Sequence, residues 1–301
     1  MYRPTLRQLE FALALAEHRH FGRTADAVHV SQPGLSSQIK ELEERLGVTL
    51  FERDRRNVRI TPSGEAVVSR ASEILRLVDE LLLDASLMAG KVQGRLRLAA
   101  IPTMGPYLLP TLRRELKAKW PFVELVLFEL RTAEILRSVK QGDIDIGLIA
   151  LPFDTGDLHV EALDDDPFML ACAEGHELAG EAPADIAALQ EVPVLLLEEG
   201  HCLRDQVQSL CAQLGGVAHR EVHQASLSTL VQMVAGGAGV TLLPASAVEV
   251  EARPGSGVCV RPIAQQGVGR TQALVWRPSD PRSQHFAAFA HEAQSGQWRF
   301  S

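Results

Sequence analysis

No run of about 18 apolar residues occurs in this 301-residue sequence, so nothing in it reads as a membrane-spanning helix. The opening residues, Met1-Tyr2-Arg3-Pro4-Thr5-Leu6, lack the apolar core of a secretory signal. Cysteine is sparse: Cys172, Cys202, Cys211 and Cys259 have neither metal-type spacing nor the density of a disulfide framework. The ten histidines show no paired spacing beside Cys or Asp that would make a metal site. A P-loop is missing, as is a Gly-x-Gly-x-x-Gly fingerprint between a strand and a helix, so neither nucleotide hydrolysis nor dinucleotide binding is indicated. These gaps describe a cytoplasmic protein with reduced thiols, no membrane, no metal and no cofactor.

The net charge of −8 is unevenly spread. Residues 1–60 hold ten Lys/Arg against eight Asp/Glu, and residues 61–301 hold 20 against 30. A slightly basic head on an acidic body points to the head as the part that meets an anionic partner.

That head reads as short helices. Leu6, Leu9, Phe11, Leu13 and Ala16 form one stripe, residues 23–28 a second helix, and Leu35, Ile39, Leu42 and Leu46 a third. Ser31 or Gln32 caps the third helix, Pro33 sits in its first turn and Gly47 stops it. Residues 21–40 fit a helix-turn-helix with His29-Val30-Ser31 as the turn, directing Gln32, Ser36, Ser37 and Lys40 toward base edges and phosphates. Residues 48–51 and 58–60 are short β pieces around a basic loop, where Arg53, Arg55 and Arg56 would reach the DNA backbone.

A long helix follows from Pro62. Val67, Ala71, Ile74, Val78, Leu81, Ala85 and Met88 alternate four and three residues apart, a heptad seam suited to pairing with a second copy. Residues 90–94 read as a hinge. Strands are then expected at 95–101, 123–130, 144–151, 168–173, 193–198, 240–243, 257–263 and 271–276. Helices are expected near 106–118, 132–141, 202–214, 226–236 and 283–294, an alternation that implies parallel sheets covered by helices in two small lobes. Asp164-Asp165-Asp166 reads as a solvated turn, and Asp143 and Asp145 are assigned no chemistry. Cys172 and Cys259 lie on apolar strands as core fillers.

Cys202 stands where a helix should begin, in Gly200-His201-Cys202-Leu203-Arg204-Asp205-Gln206, and Cys211 follows nine residues later. Nine residues of α-helix rise about 13–14 Å, whereas a disulfide needs its Cα atoms within about 7 Å. The two sulfurs can bond only if the helix unwinds. A helix N-terminus also favours a thiolate, the form of cysteine that attacks peroxide.

Residues 3–65 resemble the winged helix-turn-helix head of the LysR-type transcriptional regulators. The resemblance rests on Arg7-Gln8-Leu9-Glu10-Phe11, Phe21-Gly22-Arg23-Thr24-Ala25-Asp26-Ala27, Ser31-Gln32-Pro33-Gly34-Leu35-Ser36, Leu42-Glu43-Glu44-Arg45-Leu46-Gly47 and Thr61-Pro62-Ser63-Gly64. Ser37 departs from the pattern, standing where many of these regulators carry Arg. The resemblance extends over essentially the full chain. It implies a winged helix-turn-helix domain at 1–61, a linker and dimerisation helix at 62–91, and a two-lobed, periplasmic-binding-protein-like α/β regulatory domain at 92–301. Lobe I takes about 92–164 and 270–301, and lobe II about 165–269. It also implies a homotetramer on double-stranded operator DNA, with RNA polymerase as a further partner.

Within that family the motif around Cys202, and Ile101-Pro102-Thr103-Met104-Gly105-Pro106-Tyr107-Leu108-Leu109-Pro110, are similar to the hydrogen peroxide sensors. That resemblance implies Cys202 as the peroxidatic cysteine, Cys211 as the resolving one in a disulfide, and Thr103, Thr132, His201, Asp205 and Arg270 around them. It implies peroxide-defence genes as targets and a thiol reductant that resets the switch. Two other readings stay open: a regulator responding to a small organic effector in the inter-lobe cleft, and, from another class, a thiol peroxidase, for which the head and heptads serve no purpose.

Overall fold

The computed structural model describes residues 3–53, 58–88, 92–213, 219–221 and 226–294. Arg55, Arg56 and residues 90 and 91 of the expected hinge lie outside the described residues, as does the side chain of Arg53. The chain divides into two units, Met1–Lys91 and Val92–Ser301.

The first unit holds α1 (Leu6–His18), α2 (Phe21–Ala27), α3 (Gln32–Leu46), the ribbon β1 (Phe51–Arg53) and β2 (Val58–Ile60), and α4 (Pro62–Met88). Thr5 caps α1 through a reciprocal box with Gln8, and Ser31 Oγ accepts from Gly34 N at 3.2 Å to start α3. Leu9, Phe11, Leu15, Leu35, Ile39 and Leu42 close a core with Ala71 of α4. Gly64 is required there, because a Cβ would stand 2.2 Å from the Leu50 carbonyl oxygen. Gln32, Pro33, Ser37 and Lys40 are exposed on α3, and Ser36 is half-buried.

The apolar positions of α4, those of the expected heptad seam and those beside it, divide. Val67, Val68, Ala71 and Leu75 pack on the unit's own core. Ile74, Leu77, Leu81 and Leu82 are exposed, at 44%, 56%, 67% and 65%. The side chain of Met88 lies outside the described residues.

The second unit runs β3 (Gly94–Ala100), α5 (Gly105–Lys119), β4 (Val123–Glu129), α6 (Thr132–Gln141), β5 (Ile146–Leu151), β6 (His159–Ala173), β7 (Val194–Leu196), α7 (Cys202–Gln213), β8 (His219–Glu221), α8 (Leu227–Ala235), β9 (Thr241–Pro244), α9 (Ala245–Glu251), β10 (Val258–Pro262), β11 (Gly269–Trp276) and α10 (Ser283–Glu292). The sheet is mixed, not parallel throughout. β3 pairs parallel with β4 and β5, while β11 lies antiparallel to both β5 and β6. The reason is β6, whose 15 residues carry the chain between the lobes: its first half pairs with β11, its second half with β10 and β9.

Two hydrophobic cores result. The first gathers Leu96, Leu98, Leu112, Ile135, Ile146, Leu148, Trp276 and Phe286; the second gathers Phe168, Leu170, Leu195, Val231 and Leu242. The run Asp164-Asp165-Asp166 is strand, not a solvated turn, and Asp166 is 1% exposed. It stands directly opposite Arg270 in the β6–β11 ladder, so its charge is paired inside the fold. Asp145 is likewise buried, between Arg97 at 3.0 Å and Arg282 at 2.9 Å.

Candidate functional site

Two strand ends build the floor of the site. Ile101 N donates to Leu148 O at 3.2 Å and Leu130 N to Ala100 O at 3.1 Å, so the loops leaving β3 and β4 are fastened side by side. One loop carries Thr103, the other Thr132 as the first residue of α6, and both side chains are buried. Gly200-His201-Cys202 closes the opposite wall. Thr103, Arg131, Thr132, His201 and Cys202 line one pocket too tight, as it stands, for a water-sized molecule.

Arg270 sets the electrostatics. Its Nε donates to Asp166 Oδ2 at 2.9 Å, its Nη1 to Thr103 Oγ1 at 2.9 Å and its Nη2 to Thr103 O at 2.9 Å. Thr103 Oγ1 therefore accepts from Arg270, which leaves its own hydrogen for the pocket. Asp166 accepts in addition from Ser246 N at 2.9 Å and Ser246 Oγ at 2.8 Å. A chain of charge-assisted bonds thus runs from Thr103 in the first lobe to Ser246 at the start of α9 in the second.

Cys202 opens α7 and is 6% exposed. Burial pushes its thiol up, against the Arg270 charge, the Thr132 hydroxyl and the Leu203 N–H, which favour the anion; Asp205 adds to the upward push. Burial thus works against the thiolate that the helix N-terminus, Arg270 and Thr132 favour. Thr132 Oγ1 is buried without a hydrogen-bond partner. It lies near enough to favour a thiolate but makes no well-formed bond to the neutral sulfur, so its hydroxyl remains available.

His201 is largely buried and 3.9 Å from Glu198. Burial first, and the Arg131 charge second, push its imidazole below the usual histidine value, with Glu198 pulling the other way. Its surroundings thus disfavour the cationic form. Asp205 is exposed and does not join the threonines. It lines a separate cavity of about 310 Å³ on another side of Cys202, with Gln206, Phe153 and Phe168.

Several residues here escaped the sequence reading. Arg131 pairs with Glu198 and lies over Gly200, whose φ of +92° needs glycine and whose Cβ would meet Arg131 Nη1 at 2.7 Å. Asp166 and Ser246 anchor Arg270. Nothing in the sequence alone singled out Asp166 or Ser246 for this role.

Cys211 lies at the other end of α7. Cys202 packs in the first hydrophobic core, whereas Leu203, Val207 and Cys211 pack in the second. Burial also raises the Cys211 thiol. All four cysteines are free. Among the described residues, no group of three or more His, Cys, Asp or Glu could hold a metal ion, and no helix is long and apolar enough to cross a membrane.

Comparison with known proteins gives the lineage. Residues 6–65 match the lysR family of bacterial regulatory helix-turn-helix proteins, and residues 89–297 match the LysR substrate binding domain. The DNA-binding transcriptional dual regulator OxyR of Escherichia coli K12 is 41% identical over 285 residues, 95% of this chain and 93% of that protein. A full-length OxyR from Pseudomonas aeruginosa carrying a cysteine-to-aspartate substitution superposes with a TM-score of 0.74 at 36% identity, covering 98% of this chain and 96% of that one. A hydrogen-peroxide-bound cysteine-to-serine variant of Corynebacterium glutamicum OxyR gives a TM-score of 0.66 at 33% identity, covering 98% and 93%. The chain belongs to the LysR family of transcriptional regulators, within its OxyR group.

Proposed function

We propose that this peroxide-responsive transcription regulator senses through Cys202 and Cys211, with α7 as the moving part. The observation that carries the reading is the position of α7: its first residue is buried beside Arg270 and Thr132 in one core, and its tenth is buried in the other.

Hydrogen peroxide enters the pocket when the Arg131–Glu198 pair gives way. The neutral Cys202 thiol loses its proton as the oxidant binds, with Arg270 and the Thr132 hydroxyl favouring the resulting anion. The thiolate attacks one peroxide oxygen; an S–O bond forms and the O–O bond breaks. The departing hydroxide takes the proton, relayed by the Thr103 or Thr132 hydroxyl, and leaves as water. His201 orients the oxidant. The sulfenic acid at Cys202 then condenses with the Cys211 thiol: an S–S bond forms, the S–O bond breaks and a second water leaves. Asp205, outside the pocket, serves the later proton transfers as Cys211 approaches.

Condensation requires α7 to unwind, which removes Leu203 and Val207 from the second core. A few kcal/mol are enough to bias a two-state arrangement. A second copy covers Ile74, Leu77, Leu81 and Leu82 of α4, and two such dimers make the tetramer. Gln32, Pro33, Ser36, Ser37 and Lys40 face operator DNA, with Arg53, Arg55 and Arg56 on the backbone. RNA polymerase, a cytoplasmic thiol reductant and peroxide-defence genes complete the circuit. One peroxide is consumed per disulfide, a signal and not a turnover.

A footprint series on wild type and Cys202→Ser, each with and without peroxide, tests the reading. The expected result is a footprint that shifts with peroxide in wild type alone. Identical footprints in all four conditions remove the switch.

A further inference from the structure

Cys172 and Cys259, which the sensing chemistry does not use, are not isolated core fillers. They are directly opposed in the antiparallel β6–β10 ladder, so their side chains leave the sheet on the same face. Two residues along, Glu174 N donates to Gly257 O at 2.9 Å. By the alternation of an antiparallel pair, Cys172 and Cys259 occupy a hydrogen-bonded position too, where Cα atoms stand about 5.5 Å apart. That falls within the window of about 4.4–6.8 Å that a disulfide accepts. Cys172 Sγ lies 3.8 Å from the Cys259 carbonyl oxygen. Cys172 is fully buried, while Cys259 is partly open to solvent.

We infer that Cys172 and Cys259 form a second dithiol redox site in lobe II, one that closes to an intrachain cross-strand disulfide under hydrogen peroxide without refolding the chain. The contrast with α7 is geometric. Cys202 and Cys211 are separated by about two and a half helical turns, whereas this pair needs its side chains drawn together by roughly 1 Å, from about 4.5–5.5 Å between Cβ atoms to about 3.5–4.5 Å. A bond made under that demand is readily reduced.

The order of events follows from exposure. The Cys259 thiolate attacks one peroxide oxygen, forming S–O and breaking O–O, and hydroxide leaves as water. Cys172 then attacks the Cys259 sulfur; S–S forms, S–O breaks and a second hydroxide leaves, taking up the Cys172 proton. Two thiols and one peroxide give one disulfide and two waters. Burial and the neighbouring Cys259 push the Cys172 thiol up to about 11. The buried sulfur is therefore the resolving partner and the more open Cys259 the one that meets the oxidant first. The site records sustained oxidant and, once closed, fastens β10 to β6.

The test uses full-length protein carrying Cys202→Ser and Cys211→Ser, so that only this pair remains. After hydrogen peroxide, thiols titrated under denaturing conditions should fall from two per chain to zero. Peptide mapping should yield a single intrachain 172–259 link that dithiothreitol opens. Adding Cys172→Ser should leave Cys259 to advance to sulfinic acid. Should the double variant fold poorly, the same mapping on wild type after 202–211 closure is equivalent. Two thiols still titratable in excess peroxide, Cys259 over-oxidised beside a free Cys172, or a link between two chains would each overturn the inference.

Discussion

If the 202–211 disulfide can close only on an unwound α7, the helix propensity of that segment must appear in the redox potential. Gln208 lies in the middle of α7, exposed and outside the cavity beside Cys202. Gln208→Ala and Gln208→Gly therefore change the helix and little else. Alanine favours the helix over glycine by about 1 kcal/mol at an interior position. For a two-electron couple, about 1.4 kcal/mol corresponds to about 30 mV, so the variants should differ by about 20 mV. The sign is fixed: alanine stabilises the helical dithiol state, makes the disulfide harder to form and gives the more positive potential. Equilibration against glutathione buffers, followed by alkylation and mass analysis of the 202–211 pair, resolves a gap of that size. Equal potentials for the two variants would refute the argument, because the disulfide would then form without melting the segment.

Three further outcomes follow from the pocket. Arg270→Met leaves Asp166 buried with only the two Ser246 hydrogen bonds. Unfolding in urea should show a loss near the low end of about 3–5 kcal/mol, partly restored by adding Asp166→Asn, and peroxide oxidation of Cys202 should slow. Because burial holds the Cys202 thiol above its ordinary value, its oxidation rate in stopped-flow should climb with pH from about 6 to about 9; a flat profile would mean a thiolate already formed. Thr132→Val removes a buried hydroxyl that has no partner at rest. Stability should stay within about 1 kcal/mol of wild type while oxidation slows at least about tenfold, the worth of one hydrogen bond made only to the reacting sulfur.

Much of this architecture was legible because it is written in periodicity and caps. The stripe Leu35, Ile39, Leu42 with Ser31 before it and Gly47 after it defines α3 within a residue at each end. Residues 132–141 read as a helix and are α6. What failed was local reasoning about charge. Asp164-Asp165-Asp166 resembles a turn in isolation, and only Arg270, more than a hundred residues later, makes Asp166 an interior residue. The first half of β6 was lost with it, and so was the mixed sheet that β6 imposes. The burial of Cys202 was hidden for the converse reason: a helix start is visible in sequence, but the desolvation that raises the thiol comes from the packing of the first core around the sulfur. The facing of Cys172 and Cys259 depends on strand register, which neither apolar run reveals alone.

Amide hydrogen exchange over residues 203–211, before and after peroxide, in wild type and in Cys211→Ser, measures the refolding itself. Protection should be present in both reduced proteins, lost in oxidised wild type and retained in oxidised Cys211→Ser. A mapped 202–211 disulfide in a segment that stays protected throughout would contradict the account.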